Sequence, residues 1–145
     1  MRPDSIILFE RLYLGALALG LVNLFVSWDS SIALMTSDPG AAALGDPATF
    51  ILVVFVISFG VSLTLWYFAA RRRSRVAKWI LTVLFVLGLF SLPGSIAQGV
   101  FSGIGGLFAA AAWLLQAVAL FMLFRPDSNA WFRGEWQGDV AERFE

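Results

Sequence analysis

From Trp79 to Phe124 the chain reads WILTVLFVLGLFSLPGSIAQGVFSGIGGLFAAAAWLLQAVALFMLF, 46 residues without one formal charge. A helix needs about 20 predominantly apolar residues to cross a hydrocarbon core of roughly 30 Å. The stretch is too long for one crossing and suits two joined by a tight turn. Pro93, Gly94, Gly99 and Gly103 gather around the polar Gln98 near its middle, and clustered proline and glycine mark turns. The spacing predicts a third span over about 75–95 and a fourth over about 103–124. From Trp79 to Leu92 a helix would reach only about 21 Å at 1.5 Å per residue. The third span therefore starts earlier, with Arg75 and Lys78 snorkelling to the headgroups, or continues past Pro93 with a kink. The sequence favours the first.

Two further spans lie upstream. The first covers about 5–28 and contains the charge-free run LYLGALALGLVNLFVSW, with Glu10 and Arg11 at its entrance. The second is PATFILVVFVISFGVSLTLWYFAA, over 47–70, where Asp46 supplies an N-cap carboxylate and Pro47 the first helical residue. The 145 residues are 59% hydrophobic and 14% charged, against roughly 25% charged in an ordinary soluble domain. The expected fold is all-α: one membrane domain, 1–145, of four antiparallel transmembrane helices, with a short amphipathic C-terminal cytoplasmic helix in the tail, 125–145. Short links at 71–75 and about 96–102 should make successive helices neighbours.

With four spans, every Lys and Arg falls on the side of the two termini, and the opposite side carries Asp29, Asp38 and Asp46 with no base. Positive residues stay cytoplasmic, so both ends are expected in the cytoplasm and the protein in a plasma (inner) membrane. Arg2 gives a basic start, but Glu10 interrupts it and no small-residue cleavage site precedes Asp29, so the first span reads as uncleaved.

There is no cysteine and no histidine. Thiol chemistry, thiolate metal sites and imidazole acid–base or metal chemistry are thereby excluded. No cofactor and no catalytic or metal-binding residue is expected, and the reading points away from an enzyme. Three carboxylates in the outer loop fall short of the six or more oxygens calcium takes; they read as turn and cap groups, Asp38-Pro39 capping one turn that ends at Gly45. The net charge is zero, so nothing points to nucleic acid.

Four sets of residues are candidates for contacts or sites. The basic loop RRRSRVAK holds Arg71, Arg72, Arg73, Arg75 and Lys78; it reads as a topology signal, or as a docking surface for lipid headgroups or the chain's own acidic tail. In that tail Trp131 and Trp136 suit an interface, and Phe132, Trp136, Val140 and Phe144 recur every fourth residue, one stripe of a helix capped by Asp127 or Ser128. Gly134 and Gly138 would weaken it by about 1 kcal/mol each. Small residues at four-residue spacing, Ala16 and Gly20, Ser58 and Ser62, and Ser102, Gly106 and Ala110, mark candidate helix contacts. Asn23, Gln98 and Gln116 are candidate intramembrane polar groups. No ionisable residue lies in mid-span, where ion-coupled carriers place one, and Glu10 is expected to pair with an arginine of the loop. The tetrapeptide Arg-Pro-Asp-Ser occurs twice, at 2–5 and 125–128, each before a proposed helix; repeated capping chemistry accounts for it.

The opening RPDSIILFERLYLGALALG and the closing FRPDSNAWFRG resemble segments of uncharacterised small four-span inner-membrane proteins of bacteria, over about 30 residues at the two ends. The resemblance implies a bacterial plasma membrane and carries no activity. Three functions are consistent with this sequence: a structural or accessory subunit associating with itself or a larger membrane complex, which is preferred; an oligomeric small-solute channel or carrier; and a lipid-binding or membrane enzyme component. Membrane lipids, a second copy or a larger complex are the expected partners.

Overall fold

A computed structural model of the protein describes residues 2–38, 40 and 45–135. They form six helices: α1 (Asp4–Val26), α2 (Trp28–Ser37), α3 (Pro47–Arg71), α4 (Arg75–Ala97), α5 (Gly103–Leu123) and α6 (Pro126–Arg133). The fold is all-α, and α1, α3, α4 and α5 are each long and apolar enough to cross a membrane, the architecture of a multi-pass membrane protein. The four expected spans are thus present, with ends shifted by one or two residues.

Local chemistry explains most boundaries. Asp46 caps α3 as expected: its Oδ2 accepts from the Thr49 backbone N–H and from the Thr49 hydroxyl, both at 2.8 Å. Ser74 caps α4 by accepting from Ala77 N–H at 3.2 Å. The long α4 resolves both alternatives for the third span at once, since it starts at Arg75 and also runs a turn beyond Pro93. Proline removes one backbone hydrogen bond, and in apolar helices nearby hydroxyls help re-satisfy the backbone. Here Ser91 donates to Leu87 O and Ser95 to Ser91 O, one turn bond on each side of the Leu89 carbonyl that the proline leaves without its N–H. The turn therefore falls at Gln98–Ser102, opened by Gly99 at φ 73°, rather than at the proline.

Two expectations are corrected, for the segment after the first span and for the tail, and a third lies mostly outside the described residues. The segment after the first span is not loop: α1 breaks at Ser27 and α2 follows, with Ser30, Thr36 and Ser37 donating back to carbonyls three or four residues earlier. The proposed turn between Asp38 and Gly45 lies mostly outside the described residues; within them, Asp38 accepts from Gly40 N–H at 2.8 Å. The tail helix α6 ends at Arg133 because Gly134 takes the left-handed conformation, φ 79°, and returns its N–H to the last turn, the terminating role glycine fills at low cost. Neither Asp127 nor Ser128 caps it. Trp136, Val140 and Phe144 lie outside the described residues.

Helix order in space follows the order of the spans in sequence, as the short links imply, with the ring closed by the first span against the last. The dominant pair is α1 with α5, antiparallel, while α3 and α4 join this pair as a ring in the order α1, α3, α4, α5. Matching positions trace the pairing: Ser5 meets Ser128, Gly15 faces Leu115, and Ser27 faces Gly105. A Cβ on Gly105 would collide with the Ser27 hydroxyl, so that glycine permits the close approach. Gly88 likewise lies under the ring of Trp113 and lets α4 reach α5. The expected small-residue contacts fare unevenly. Ala16 is buried, a Cβ added on Gly20 would meet no neighbouring element within 4 Å, and a Cβ on Gly106 would meet its own helix-starting turn at Phe101.

Burial concentrates at the basic end. Ile6, Phe9, Tyr13 and Leu123 are at most 1% exposed, packed with Ala69, Ala70, Ala77, Leu81, Ala119, Leu120 and the α6 residues Trp131 and Phe132. The two Arg-Pro-Asp-Ser segments close this core by meeting each other, Ser5 Oγ to Ser128 Oγ at 2.6 Å, both buried. Ser128 donates to Met122 O at 2.7 Å, and a carbonyl cannot return a proton. The Ser5 hydroxyl is therefore the donor to Ser128.

Removing Ser128 leaves the buried Ser5 hydroxyl without its acceptor and takes one of two donors from the part-buried Met122 carbonyl, whereas removing Ser5 leaves Ser128 still bonded to Met122. Ser128→Ala should cost about 1–3 kcal/mol and Ser5→Ala clearly less, measured by thermal unfolding in detergent; equal losses would contradict this proton assignment. The Thr49 backbone N–H, and secondly its hydroxyl, hold the Asp46 carboxyl below its ordinary range. Because that pKa is depressed by folding, the cap is complete above about pH 4, the ordinary carboxylate value, and is lost as pH falls through the lowered one. Acidification should speed hydrogen exchange at the Thr49 amide beyond its intrinsic change, and Asp46→Ala should abolish that pH dependence.

Candidate functional site

The inward face of each long helix is divided in two. On α1 the residues Ile6, Phe9, Tyr13 and Ala16 are buried, and the same stripe continues as Gly20, Asn23 and Ser27 without closing on a neighbour. On α3, Leu65 and Ala69 are buried while Phe55, Ser58, Phe59 and Ser62 border open space. On α5 the change comes between Ala119 and Gln116, although Ala109 is buried again near the far end. Large side chains fill the axis at the basic end, and small or polar ones leave it open toward the acidic end.

The result is a chamber of about 340 Å³ between α1, α3, α4 and α5. Its walls combine aromatic rings, Phe55, Phe59, Phe101 and Trp113, with the polar side chains of Asn23, Ser58, Ser62, Ser95 and Gln116. Its floor is Tyr13, whose hydroxyl lies against Ser62. Beyond Asn23 and Val100, which line both spaces, it continues into an outer pocket of about 750 Å³ walled by Ser27, Ser30, Ser31, Ser37 and the Gln98–Ser102 turn. A cavity lined only by Leu, Ile and Phe stays dry; this one offers partners for polar atoms. Small-molecule pockets occupy roughly 300–1,000 Å³.

The polar groups divide into satisfied and available. Thr64 and Thr82 donate to carbonyls of their own helices, Gly60 and Lys78. Asn23 Oδ1 accepts from Ser27 at 3.0 Å, which turns its amide nitrogen to further acceptors. Among the described residues no protein group hydrogen-bonds the Gln116 amide. The structure brings Asn23 and Gln116 into one chamber and separates Gln98 from them: Gln98 ends α4, is exposed, and lines only the outer pocket. Tyr13, Ser95 and the four aromatic rings are wall residues that sequence reasoning missed. A signal for α1 does exist in the 3–4 spacing of Tyr13, Ala16, Gly20, Asn23 and Ser27, which marks one helix face.

Among the described residues no carboxylate, lysine or arginine lines either space. The charges sit instead at the closed end. Glu10 takes one guanidinium on each oxygen, Arg2 at 2.6 Å and Arg71 at 2.7 Å, the expected pairing with the loop together with a partner from its own N-terminus. Among the described residues the basic loop meets the tail through aromatic rings and amide oxygens; Asp139, Glu142 and Glu145 lie outside them. Arg73 lies 3.9 Å over the Trp131 ring, Arg75 Nε donates to Phe132 O at 3.0 Å, and Lys78 Nζ donates to Asn129 Oδ1 at 2.7 Å. Lys78 does not snorkel outward: it is 6% exposed, with its ammonium 4.0 Å from the Phe124 ring centre. Glu135, the one tail acid among the described residues beyond α6, pairs with Arg133. Arg73 holds φ 54°, a left-handed conformation that costs a side-chain-bearing residue roughly 1–2 kcal/mol. Its stacking on Trp131, worth about 0.5–2 kcal/mol, offsets much of that.

An amide held open in a chamber adds little to folding, while a filled core position adds much. Gln116→Leu should change stability by less than about 0.5 kcal/mol or raise it, whereas Leu123→Ala should cost about 2–5 kcal/mol; thermal unfolding in detergent compares the two. Comparison of the chain with protein-family models, with curated proteins and with solved structures finds no match in any of the three, and what the chamber can hold is therefore set by its own chemistry.

Proposed function

We propose that this chain is a small accessory protein of a bacterial inner membrane, with both termini cytoplasmic, that holds one uncharged amphiphile in its chamber. The observation that carries the proposal is a space of about 340 Å³ whose walls are aromatic and amide- or hydroxyl-bearing but carry no charge. Burying an ion there would cost several kcal/mol without a counter-charge. A neutral hydroxyl, ester or amide headgroup, followed by hydrocarbon against the Phe and Trp rings, meets every wall with its own kind. The orientation rests on the charge sidedness of the sequence, and the bacterial membrane on the resemblance of its two ends.

A channel or carrier is less well supported. The axis is filled at the basic end by Ile6, Phe9, Tyr13 and Leu123, so one copy has no path through. Assembly around a shared pore would need polar outer faces, and those of α3 and α4 are mostly Val, Leu, Ile and Phe. These two helices bury only 6% of their most apolar windows inside the protein, against 28% for α1 and α5. Such faces suit lipid or a neighbouring subunit, in keeping with an accessory role.

Native mass spectrometry from mild detergent tests the proposal. The wild-type protein should retain one neutral lipid-sized adduct, and Asn23→Leu with Gln116→Leu should lose it while the protein stays folded. A wild-type spectrum with no adduct, or an adduct indifferent to both substitutions, would overturn it.

A further inference from the structure

A second site lies on the opposite face of α4, outside the chamber and near the basic end. Arg75, Val76, Trp79, Ile80, Val83 and Leu84 border an almost wholly apolar groove of about 400 Å³. Their spacing, in adjacent pairs one turn apart, draws two parallel ridges along the helix. From Arg75 to Leu84 the groove runs about 14 Å at 1.5 Å per residue, close to half of a hydrocarbon core of roughly 30 Å. It is as long as one leaflet is deep.

The two ends of the groove differ. The inner end is Val83 and Leu84, about half exposed; the outer end is the Arg75 guanidinium. Arg75 is already aimed: its Nε is held by the Phe132 carbonyl at 3.0 Å, which leaves its two terminal amino groups for another acceptor. Trp79, one turn deeper and 60% exposed, is braced edge-on against Phe124 with ring centres 5.9 Å apart. Indole at that depth suits the boundary between headgroups and chains. Arg72 and Arg73 add positive charge at the same end, and Glu10 is taken up by Arg2 and Arg71. A pre-aimed guanidinium matches a phosphate better than a mobile ammonium would.

We propose that this groove binds an anionic phospholipid of the membrane leaflet on the basic side, with its phosphate on Arg75 and one acyl chain along Val76, Ile80 and Val83. The inference uses the membrane-spanning reading of α4 but is independent of the chamber's ligand. A phospholipid is chosen over a soluble phosphate because the groove beneath the guanidinium is apolar throughout. The fixed Nε is what separates the site from any other lipid-facing helix surface: the headgroup position is set by α6.

The full-length protein, reconstituted into vesicles of equal phosphatidylglycerol and phosphatidylcholine with identical chains and extracted into mild detergent, gives the test. Native mass spectrometry should show phosphatidylglycerol retained roughly five-fold over phosphatidylcholine, the preference one arginine confers at an anionic surface. Arg75→Gln should bring the ratio to about one. Val83→Trp, at an exposed position where folding is untouched, should lower retention of phosphatidylglycerol by filling the groove. Gln116→Leu should leave the preference as it is, which separates this site from the chamber. Equal retention of the two lipids by the wild type, or an undiminished preference in Val83→Trp, would overturn the proposal, as would a loss of preference in Gln116→Leu alone.

Discussion

The packed basic end of the bundle is the constraint on which everything else here depends. In hydrocarbon the apolar surface of a helix gains little by meeting another apolar surface, so helices associate through close packing and buried polar bonds. This protein concentrates both in one half. Ile6, Phe9, Tyr13 and Leu123 fill the axis, alanines on α3, α4 and α5 let the backbones approach, and α6 lies across the end with Trp131 and Phe132 turned inward. The Ser5–Ser128–Met122 chain of hydrogen bonds ties the start of α1 to the start of α6 inside that core. With one end held this firmly, the other can remain apart without the bundle coming undone.

The chamber follows from that asymmetry. Past Tyr13 the inward residues of α1 are small or polar, and the aromatic rings opposite them line the space without closing it. The open half therefore differs in kind from a packing defect. A defect would be apolar and would collapse or stay empty, whereas among the described residues the Gln116 amide and the Asn23 amide nitrogen face this space without a protein partner. Absence of ions from the walls narrows the acceptable occupants more than size does, because dielectric cost grows steeply for a charge and only modestly for a hydroxyl or amide.

Positive charge at the basic end does three separate things. Arg2 and Arg71 neutralise Glu10, Arg73 and Lys78 bind α6 through rings and an amide, and Arg75 shares itself between an α6 carbonyl and the lipid-facing side of α4. A run that reads in sequence as a single basic patch is resolved by the fold into side chains with different directions. Lys78 illustrates the point: a lysine at a helix entrance normally extends toward water, but here three α5–α6 groups, Phe124, Asn129 and Phe132, surround its ammonium.

What could be learned from residues alone was whatever depends on neighbours along the chain. The four spans follow from apolar length, the separation of charge between the two ends from counting, and the start of α3 from Asp46-Pro47, because hydropathy and capping are local sums. The unexpected α2, the continuation of α4 through Pro93 and the end of α6 at Gly134 needed backbone geometry. Side-chain partnership was beyond the sequence for a different reason. A helix that is apolar on every face carries no stripe to say which side turns inward, so the pairing of α1 with α5, the meeting of the two Arg-Pro-Asp-Ser segments and the gathering of Tyr13, Asn23 and Gln116 around one space were decided only when the helices packed.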